Sequence, residues 1–404
     1  MPSFAAFLGH QPHISIAELS ASIRDFSLQR VIQNRVLLFE SSLPLDATNL
    51  RTLGGTVVIA KRISENDLTI EDVPALLLNE ISGIHGKVTF SLRTLGLPPA
   101  RIKSLYRECK ESMRKKGRPS RYVGTERAPA ASVLLHDAGL LDGSNGCEIC
   151  VIADENTIWI GRTVAAQDIE SYAKRDMKKP VRDTTTGLLP PKLAQILLNF
   201  GSWLARGKAV GESQLTVFDP FTGTGVIPME CLLRGWNVLA SDTSQRAVTG
   251  TEKNLEWLRK ENDIFKKDVW STVWKQDARR PFVLKQRPDV IVTETTLGPS
   301  LEERASLKDV SKLKTENEKL QEDFLRNVVA TLPGVPVVAT WPVWYTSKGQ
   351  VRLEKVWDRL HEIGFRLAIP AAVDLDITGR PTLVYRRPGQ YVGREIVLLT
   401  PAKR

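Results

Sequence analysis

Short apolar runs alternate with amphipathic stretches along most of this 404-residue chain, and the clearest succession lies just past its midpoint. It opens with an apolar run at 215–218 and continues through a glycine-rich turn at 219–225 and an amphipathic helix. A second apolar run at 236–240 then ends before Asp242, an acid 19 residues after Gly223. Strand, tight turn, helix and strand in this order predict the cofactor-binding half of a doubly wound α/β sheet.

The remaining runs predict that smaller α+β modules precede this α/β domain. Residues 1–87 predict an amino-terminal ferredoxin-like module, and a strand, a basic helix and a hairpin predict a second module at 88–173. A polar linker at 174–189 leads to a domain at 190–404, for which we expect a mostly parallel sheet that closes with an antiparallel hairpin. The runs behind these predictions are strands at 36–39, 56–60, 88–92, 147–153, 157–162 and 289–293, helices at 73–81, 99–113, 190–204, 247–259 and 301–332, and a hairpin at 383–396.

The chemistry of the glycine turn indicates which cofactor it suits. A dinucleotide fingerprint has a third glycine where helix and strand pack beneath a pyrophosphate, but Pro228 stands at that place. Asp219 puts a carboxylate beside the turn, which repels a pyrophosphate but suits a cationic amino acid moiety. S-adenosylmethionine (SAM) carries an ammonium and a sulfonium and has no phosphate. The turn therefore favours SAM, with Asp242 accepting hydrogen bonds from the ribose hydroxyls, over a glycine turn that binds no ligand.

Three segments resemble one enzyme family. The turn at 219–225 reads D-P-F-T-G-T-G, the segment at 175–180 is similar to an R-D-x-x-R-P lead-in, and residues 187–194 read G-L-L-P-P-K-L-A. These motifs resemble the THUMP-domain class I SAM-dependent tRNA guanine-N2 methyltransferases. The resemblance implies a Rossmann-like methyltransferase domain behind a THUMP-like RNA-binding module. The cofactor-binding residues that the turn and the resemblance imply are Asp219, Phe221, Thr222, Gly223, Gly225, Asp242, Asp277, Pro190 and Lys192.

The candidate reaction site follows the apolar strand at 289–293, because ligands of open α/β sheets bind at the carboxyl ends of the strands. The resembled family has D-P-P-Y-G there, with the carboxylate accepting hydrogens from the target amine and the ring stacking on the base. This chain reads E-T-T-L-G, so the acid and the glycine keep their spacing while the prolines and the ring are replaced. Stacking then needs another ring, for which Trp341 or Trp344 is the candidate. The candidate catalytic residues are Glu294, Thr295, Thr296, Leu297 and Gly298.

The charge of the chain indicates a candidate binding partner. The chain carries a formal net charge of +10, and nine Lys or Arg stand against two Glu between residues 101 and 121. A charge run is usually a solvated helix face, but this excess has one sign and ends in a loop with glycine and proline, which favours phosphate contact. In the resembled family this module holds the acceptor end of tRNA, so structured RNA, above all tRNA, is the expected partner. The candidate RNA-binding residues are Arg101, Lys103, Arg114, Lys115, Lys116, Arg118 and Arg121.

The number of cysteines and the length of the apolar stretches indicate which class of protein this is. Four cysteines are too few for a disulfide framework, and the C-x-x-C of Cys147 and Cys150 lies in a strand-like run without a second pair, so we expect no metal site. No stretch reaches the roughly 18 apolar residues of a membrane span, and the first residues lack the basic leader of a signal peptide. We therefore expect a cytoplasmic protein.

The sequence thus predicts methyl transfer from SAM to an exocyclic base amine in structured RNA, with guanine N2 of tRNA as the favoured target. Three alternatives stay open. The same catalytic domain can serve ribosomal RNA or DNA, or a degenerate E-T-T-L-G site can leave a non-catalytic protein that binds SAM and RNA. A dinucleotide-dependent dehydrogenase is disfavoured by Pro228 and by the lack of a paired acid and base at the predicted strand ends.

Overall fold

The structure of the protein, a computed structural model, describes residues 1–64, 68–125, 129–155, 157–183, 188–205, 214–298 and 306–402. The chain divides into two compact units. The first comprises Met1–Pro12 and Ile23–Ser171, and the second comprises His13–Ser22 and Tyr172–Arg404. Part of the predicted linker, residues 184–187, lies outside the described residues. Among the residues described, no helix combines the length and apolar composition needed to cross a bilayer.

The first unit is built on one eight-stranded sheet. Its strands are β1 (Ser3–Leu8), β2 (Ser27–Ile32), β3 (Val36–Glu40), β4 (Thr56–Arg62), β5 (Val88–Leu95), β6 (Ser120–Tyr122), β7 (Gly146–Asp154) and β8 (Thr157–Ala166). The helices of this part of the chain are α1 (Pro12–Ser22), α2 (Ala47–Thr52), α3 (Val73–Glu80), α4 (Pro99–Lys115), α5 (Ser132–Asp137) and α6 (Ile169–Met177). The strand order is β2-β3-β1-β4-β8-β7-β5-β6, and only the pairs that β5 makes with β6 and β7 are parallel.

This sheet runs across the predicted module boundary at residues 87 and 88. Strand β4 pairs with β8 in an antiparallel ladder in which Val58 lies opposite Ala166 and Arg62 opposite Gly161. Pairing satisfies backbone groups that each strand would otherwise expose at a sheet edge. Residues 1–87 and 88–173 therefore share one sheet, and their division into two modules stays a prediction.

The interior of the first unit explains the basic helix and the C-x-x-C pattern. On α4 the residues Leu105, Cys109 and Met113 recur every four positions and are buried against the sheet, so the remaining positions carry the charges.

Burial raises the pKa of the Cys147 and Cys150 thiols to about 12. These thiols are core side chains, and the described residues contain no cluster of three or more His, Cys, Asp or Glu that suits a metal ion.

The second unit contains a larger, mostly parallel sheet. Its strands are β9 (Thr216–Asp219), β10 (Asn237–Asp242), β11 (Ser271–Lys275), β12 (Val290–Glu294), β13 (Val337–Thr346), β14 (Gly349–Val351), β15 (Phe365–Leu367), β16 (Val384–Tyr385) and β17 (Val392–Pro401). Its other helices are α7 (Pro191–Ala205), α8 (Val226–Leu233), α9 (Gln245–Glu261), α10 (Leu307–Thr331), α11 (Lys355–Asp358) and α12 (Leu360–Ile363). The strand order is β11-β10-β9-β12-β13-β17-β15, in which β17 pairs antiparallel with β13, β15 and β16.

Alternation along the strands divides the core of this unit between the two faces of its sheet. Val217 and Val290 face a cluster formed with α7, α8 and α9, whereas Phe218 and Ile291 face a cluster formed with α10, α11 and α12. Both faces are thus covered by helices, which is why β9, β10 and β12 read as continuous apolar runs. The predicted hairpin is present, since Val384 of β16 pairs with Glu395 of β17.

Helix α1 belongs to the second unit from its second residue onwards, although the sequence prediction placed it in the amino-terminal module. Its Ile14, Ala17 and Ala21 join the cluster that contains the buried face of α7. In addition, Asn199 Nδ2 donates a hydrogen bond of 2.6 Å to Glu18 Oε1. An amphipathic pattern shows that a helix has an apolar face, but it does not indicate which element covers that face.

Candidate active site

A cleft of about 400 Å³ opens in the second unit at the carboxyl ends of β9, β10 and β12. Its size falls within the roughly 300–1,000 Å³ typical of small-molecule sites. The strand order changes direction between β9 and β12, which is where ligands bind in sheets of this type. The predicted site residues that line the cleft are Asp219, Phe221, Thr222, Gly223, Asp242, Glu294, Thr295, Thr296, Leu297 and Gly298.

The loop after β9 owes its path to two glycines and to helix α9. Gly223 and Gly225 have φ of +52° and +83°, and a Cβ on Gly225 would lie 2.7 Å from Thr251 Cγ2. Thr251 Oγ1 donates to the carbonyl of Gly223 at 2.9 Å, and Asn254 Nδ2 donates to the carbonyl of Thr224 at 2.8 Å. These bonds attach the loop to α9, and the two glycines allow its left-handed turns.

Asp219 is a buried carboxyl group in the lining of the cleft. Its Oδ1 accepts hydrogen bonds from Thr293 Oγ1 at 2.6 Å and from the backbone N–H of Phe221 at 3.3 Å. Burial raises the pKa of Asp219 to about 7, against the opposing effect of these bonds, and the nearby Asp242 carboxylate adds to the rise. A nearby positive charge favours the ionised form of such a group, so these residues fit the cationic groups of SAM better than a pyrophosphate.

Asp242 joins two loops at the rim of the cleft. Its Oδ2 accepts from the backbone N–H of Gly223 at 3.0 Å, and its Oδ1 accepts from the backbone N–H of Ser244 at 2.9 Å. The carboxylate is therefore fixed between the ends of β9 and β10. This is the position at which the sequence analysis expected a ribose contact, and that role stays a prediction.

A second recess of about 430 Å³, called here the adjoining recess, shares Phe221, Asp242 and Thr243 with the cleft. Asp277 lines it, but both of its carboxylate oxygens accept from the Arg279 side chain, at 3.0 Å from Nε to Oδ1 and 2.7 Å from Nη2 to Oδ2. The complete lining is Pro220, Phe221, Asp242, Thr243, Asp277, Ala278, Arg279, Thr296, Gly298, Leu313, Glu316, Asn317 and Leu320.

Glu294 ends β12 and lies in the cleft beside a buried arginine. Its Oε1 accepts a hydrogen bond of 2.5 Å from Arg394 Nε, which extends from β17. Arg394 is almost fully buried, whereas Glu294 is half-buried. Among the described residues Oε2 of Glu294 has no hydrogen-bond partner. The ion pair therefore fixes one oxygen of the carboxylate and leaves the other for a ligand.

Thr295 supports the site loop from inside the protein. Its side chain is buried, its hydroxyl donates to the carbonyl of Thr340 at 2.6 Å, and Gln321 Nε2 of α10 donates to the same hydroxyl at 2.8 Å. Thr296 is exposed at the surface of the loop, and Gly298 has φ of +84°, which suits glycine. The structure thus brings the predicted motif together, with Thr295 bonded to the core.

The expected substitute ring is absent from the cleft. Trp341 and Trp344 on β13 are 0% and 1% exposed and pack in the cluster that α10, α11 and α12 cover. Neither lines the cleft, so the prediction that one of them stacks on a base was wrong. Leu297, at the position of the family's ring, does line it.

Three other predicted cofactor-binding residues, Gly225, Pro190 and Lys192, lie outside the lining of the cleft. Pro190 immediately precedes α7, and its carbonyl accepts hydrogen bonds from the N–H groups of Leu193 and Ala194. Lys192 Nζ lies 5.0 Å from the centroid of the Tyr172 ring, and burial lowers its pKa. Leu188 and Leu189, just before Pro190, do line the cleft, and the contact of Pro190 and Lys192 with the cofactor stays a prediction.

The predicted RNA-binding residues lie on α4 and the loop after it, in the first unit, and they divide into two groups. Arg101 pairs with Glu71 and Glu108, and Arg118 Nη2 donates to the carbonyls of Ile81 and Ile84, so both have structural partners. The side chains that extend into solvent are Lys103, Arg114, Lys115, Lys116 and Arg121. The second group is the exposed part of the predicted phosphate-binding surface.

The fold of the chain is similar to that of solved structures. It aligns over 99% of its length with 100% of TrmN from Thermus thermophilus, with a TM-score of 0.51 and 17% identity. It also aligns with a possible methylase from Clostridium difficile 630, with a TM-score of 0.45 and 11% identity over 100% and 98% of the two chains. The first likeness establishes the fold, and the predicted fold class is confirmed.

A curated relative adds a sequence relationship. The tRNA (guanine(10)-N2)-dimethyltransferase of Methanothermobacter thermautotrophicus is 29% identical over 147 residues, which are 36% of this chain and 36% of the relative. The resemblance to the tRNA guanine-N2 methyltransferases is confirmed. The matched residues cover about a third of the length of this curated relative. No model of a protein family matches the chain.

Several residues that shape the site lie outside the motifs of the guanine-N2 methyltransferases, and the sequence analysis missed them. Arg394 lies 100 positions from Glu294, and Gln321 reaches Thr295 from the next helix. Neither has a local sequence signal, because each acts through a contact that only the folded sheet brings about. Thr293 did have a weak local signal, because a threonine at the end of an apolar strand next to an acid can donate a hydrogen bond at the site.

Proposed function

We propose that the protein transfers a methyl group from SAM to an exocyclic base amine in structured RNA, and that its target is guanine N2 in tRNA. The observation that carries the proposal is a single cleft that holds both the glycine loop with Asp219 and the carboxylate of Glu294. When bound, SAM supplies an electrophilic methyl group. The tRNA substrate and the guanine N2 position come from the name of the curated relative and from the motif resemblance.

Binding and orientation are the tasks of this chain's residues. Asp219 binds the amino acid part of the cofactor, and Asp242 binds the ribose. Glu294 accepts a hydrogen bond from the target amine through Oε2, while Arg394 holds Oε1. The lone pair of a guanine N2 is delocalised into its ring, so a fixed acceptor that localises it and aligns it with the methyl group lowers the barrier.

The RNA-binding part of the proposal rests on the exposed cations of α4 and its loop. Arg114, Lys115 and Lys116 extend into solvent at the end of the helix, and Lys115 makes an exposed i,i+4 pair with Glu111. Such pairs contribute little and do not compete strongly with a phosphate. Charge reversal of Lys115 and Lys116 should lower tRNA affinity and reduce its dependence on salt.

The test is mass spectrometry of nucleosides from unmodified tRNA transcripts incubated with SAM and the full-length protein. We expect N2-methylguanosine with the wild type and at least about a 100-fold loss with Glu294→Gln, which keeps the shape but not the charge. Glu256→Gln is the control, because Glu256 is an exposed helix residue paired with Lys260. Ribosomal RNA and DNA are tested in the same assay as the alternative substrates.

A second candidate function, SAM and RNA binding without catalysis, is favoured by one feature of the site. Leu297 stands where the family has an aromatic ring, and both candidate tryptophans are buried. If the protein binds SAM and tRNA but yields no methylated nucleoside from any nucleic acid, the enzymatic proposal fails and this candidate stands.

A further inference from the structure

One buried side chain that lines the adjoining recess has a hydrogen-bond acceptor to which no donor of the described residues is bonded. Asn317 of α10 is 4% exposed, and its Nδ2 donates to the carbonyl of Leu313 one turn earlier at 3.1 Å. Its Oδ1 is buried and has no hydrogen-bond partner among the described residues. An unsatisfied buried acceptor costs free energy and points to a donor supplied by a ligand or an ordered water.

The surroundings of Asn317 indicate what kind of ligand supplies that donor. Leu313, Leu320 and Ala278 give the recess apolar walls, and the polar Asp277, Arg279 and Glu316 also line it. The recess continues into the cleft through Asp242 and Thr243, so one ligand can occupy both. A flat heterocycle with an exocyclic amine, attached to a ribose held at Asp242, matches this distribution of apolar and polar atoms.

Asp277, which the sequence analysis counted among the cofactor-binding residues, already accepts hydrogen bonds from a neighbouring side chain. Arg279 donates to both of its oxygens, at 3.0 and 2.7 Å, and the backbone N–H of Arg279 donates to Oδ1 as well. The same ion pair lowers the pKa of the Asp277 carboxyl. The acid thus has competing donors, whereas Asn317 Oδ1 has none in the described part of the chain.

We propose that Asn317 recognises the adenine of the cofactor, its Oδ1 accepting a hydrogen bond from the exocyclic amine and so distinguishing adenine from hypoxanthine. This inference rests on the proposed function. The bond from Nδ2 to Leu313 sets the amide orientation, because a rotation that exchanged oxygen and nitrogen would break it. An oxo group in place of the amine would then face an acceptor instead of giving a donor.

The test compares the affinities of S-adenosylhomocysteine and S-inosylhomocysteine by calorimetry on the full chain. The two ligands differ at C6, where an oxo group replaces the amine, and at the adjoining N1, which carries a proton in the inosyl compound. We expect the wild type to bind the adenosyl compound at least tenfold more tightly, and Asn317→Leu to reduce this ratio about tenfold by weakening only the adenosyl compound. Asn317→Asp, which keeps an acceptor, should retain most of the ratio, and Lys319→Gln, on the exposed side of the same helix, should retain all of it.

The ratio within each variant is the readout, so a general loss of stability does not affect it. If S-adenosylhomocysteine binds the wild type and the ratio is the same in Asn317→Leu, the inference about Asn317 is overturned while the proposed cofactor stands. If neither compound binds the wild type, the proposed function itself is overturned. A ratio that is lost in Asp277→Ala and kept in Asn317→Leu would assign the recognition to Asp277 and also overturn the inference.

Discussion

The Asp219 carboxyl makes folding of the second unit depend on pH in a direction that the structure sets. Its pKa is about 7 in the fold, against 3.8 for an ordinary aspartate. A raised folded-state pKa contributes stability that is fully present below pH 3.8 and is lost as pH rises through 7. At about 1.4 kcal/mol per pKa unit, roughly 3 kcal/mol of this contribution disappears between pH 5 and pH 8.

Asp219→Asn removes the titration and keeps an oxygen for the bonds from Thr293 and Phe221. We expect the melting temperature of the variant, minus that of the wild type, to rise by roughly 5–10 °C between pH 5 and pH 8 in the absence of ligand. Differential scanning calorimetry measures this difference. Asp358→Asn is the control, because Asp358 is exposed on α11 and should give a constant difference. A flat difference for Asp219→Asn as well would refute the argument that burial raises this pKa.

Three further predictions concern other contacts. Asp242→Ala removes the acceptor that joins the β9 and β10 loops and should weaken SAM binding at least tenfold by calorimetry, with the fold retained in circular dichroism. Gln321→Leu removes one of the two hydrogen bonds of the Thr295 hydroxyl and should lower the methylation rate constant more than it changes SAM affinity. Glu148→Ala leaves buried Arg93 unpaired and should cost about 3–5 kcal/mol in urea unfolding, whereas replacing both residues by leucine and methionine should cost less.

The sequence was sufficient to predict β9, the glycine loop, α8 and β10, because these elements follow from local chemistry. Apolar runs marked the strands, and the left-handed conformations of Gly223 and Gly225 require glycine where they occur. The position of Glu294 was predictable for the same reason, since a strand that ends in an acid marks the edge of a sheet where ligands bind. That Asp219 and Glu294 line one cleft also followed from the parallel order expected of this fold.

The predictions that failed or were missed depended on what covers a residue. Trp341 and Trp344 have the composition of a stacking site, but whether they face a cleft or a core is set by the helices that pack on β13. Pro190 and Lys192 were transferred from a motif; neither lines the cleft, and their contact with the cofactor stays a prediction. A one-dimensional pattern contains the periodicity of an element but not the identity of its neighbours.

The sequence by itself thus determined the order of strands and helices, the glycine loop and the acids at the strand ends, since each depends on residues within one or two turns of chain. Only the tertiary structure decided that α1 packs with α7, that Arg394 holds Glu294 from a strand 100 residues away, and that Asn317 has an unsatisfied oxygen beside the cleft. These features arise from burial and long-range pairing, which depend on how the whole sheet brings distant segments together.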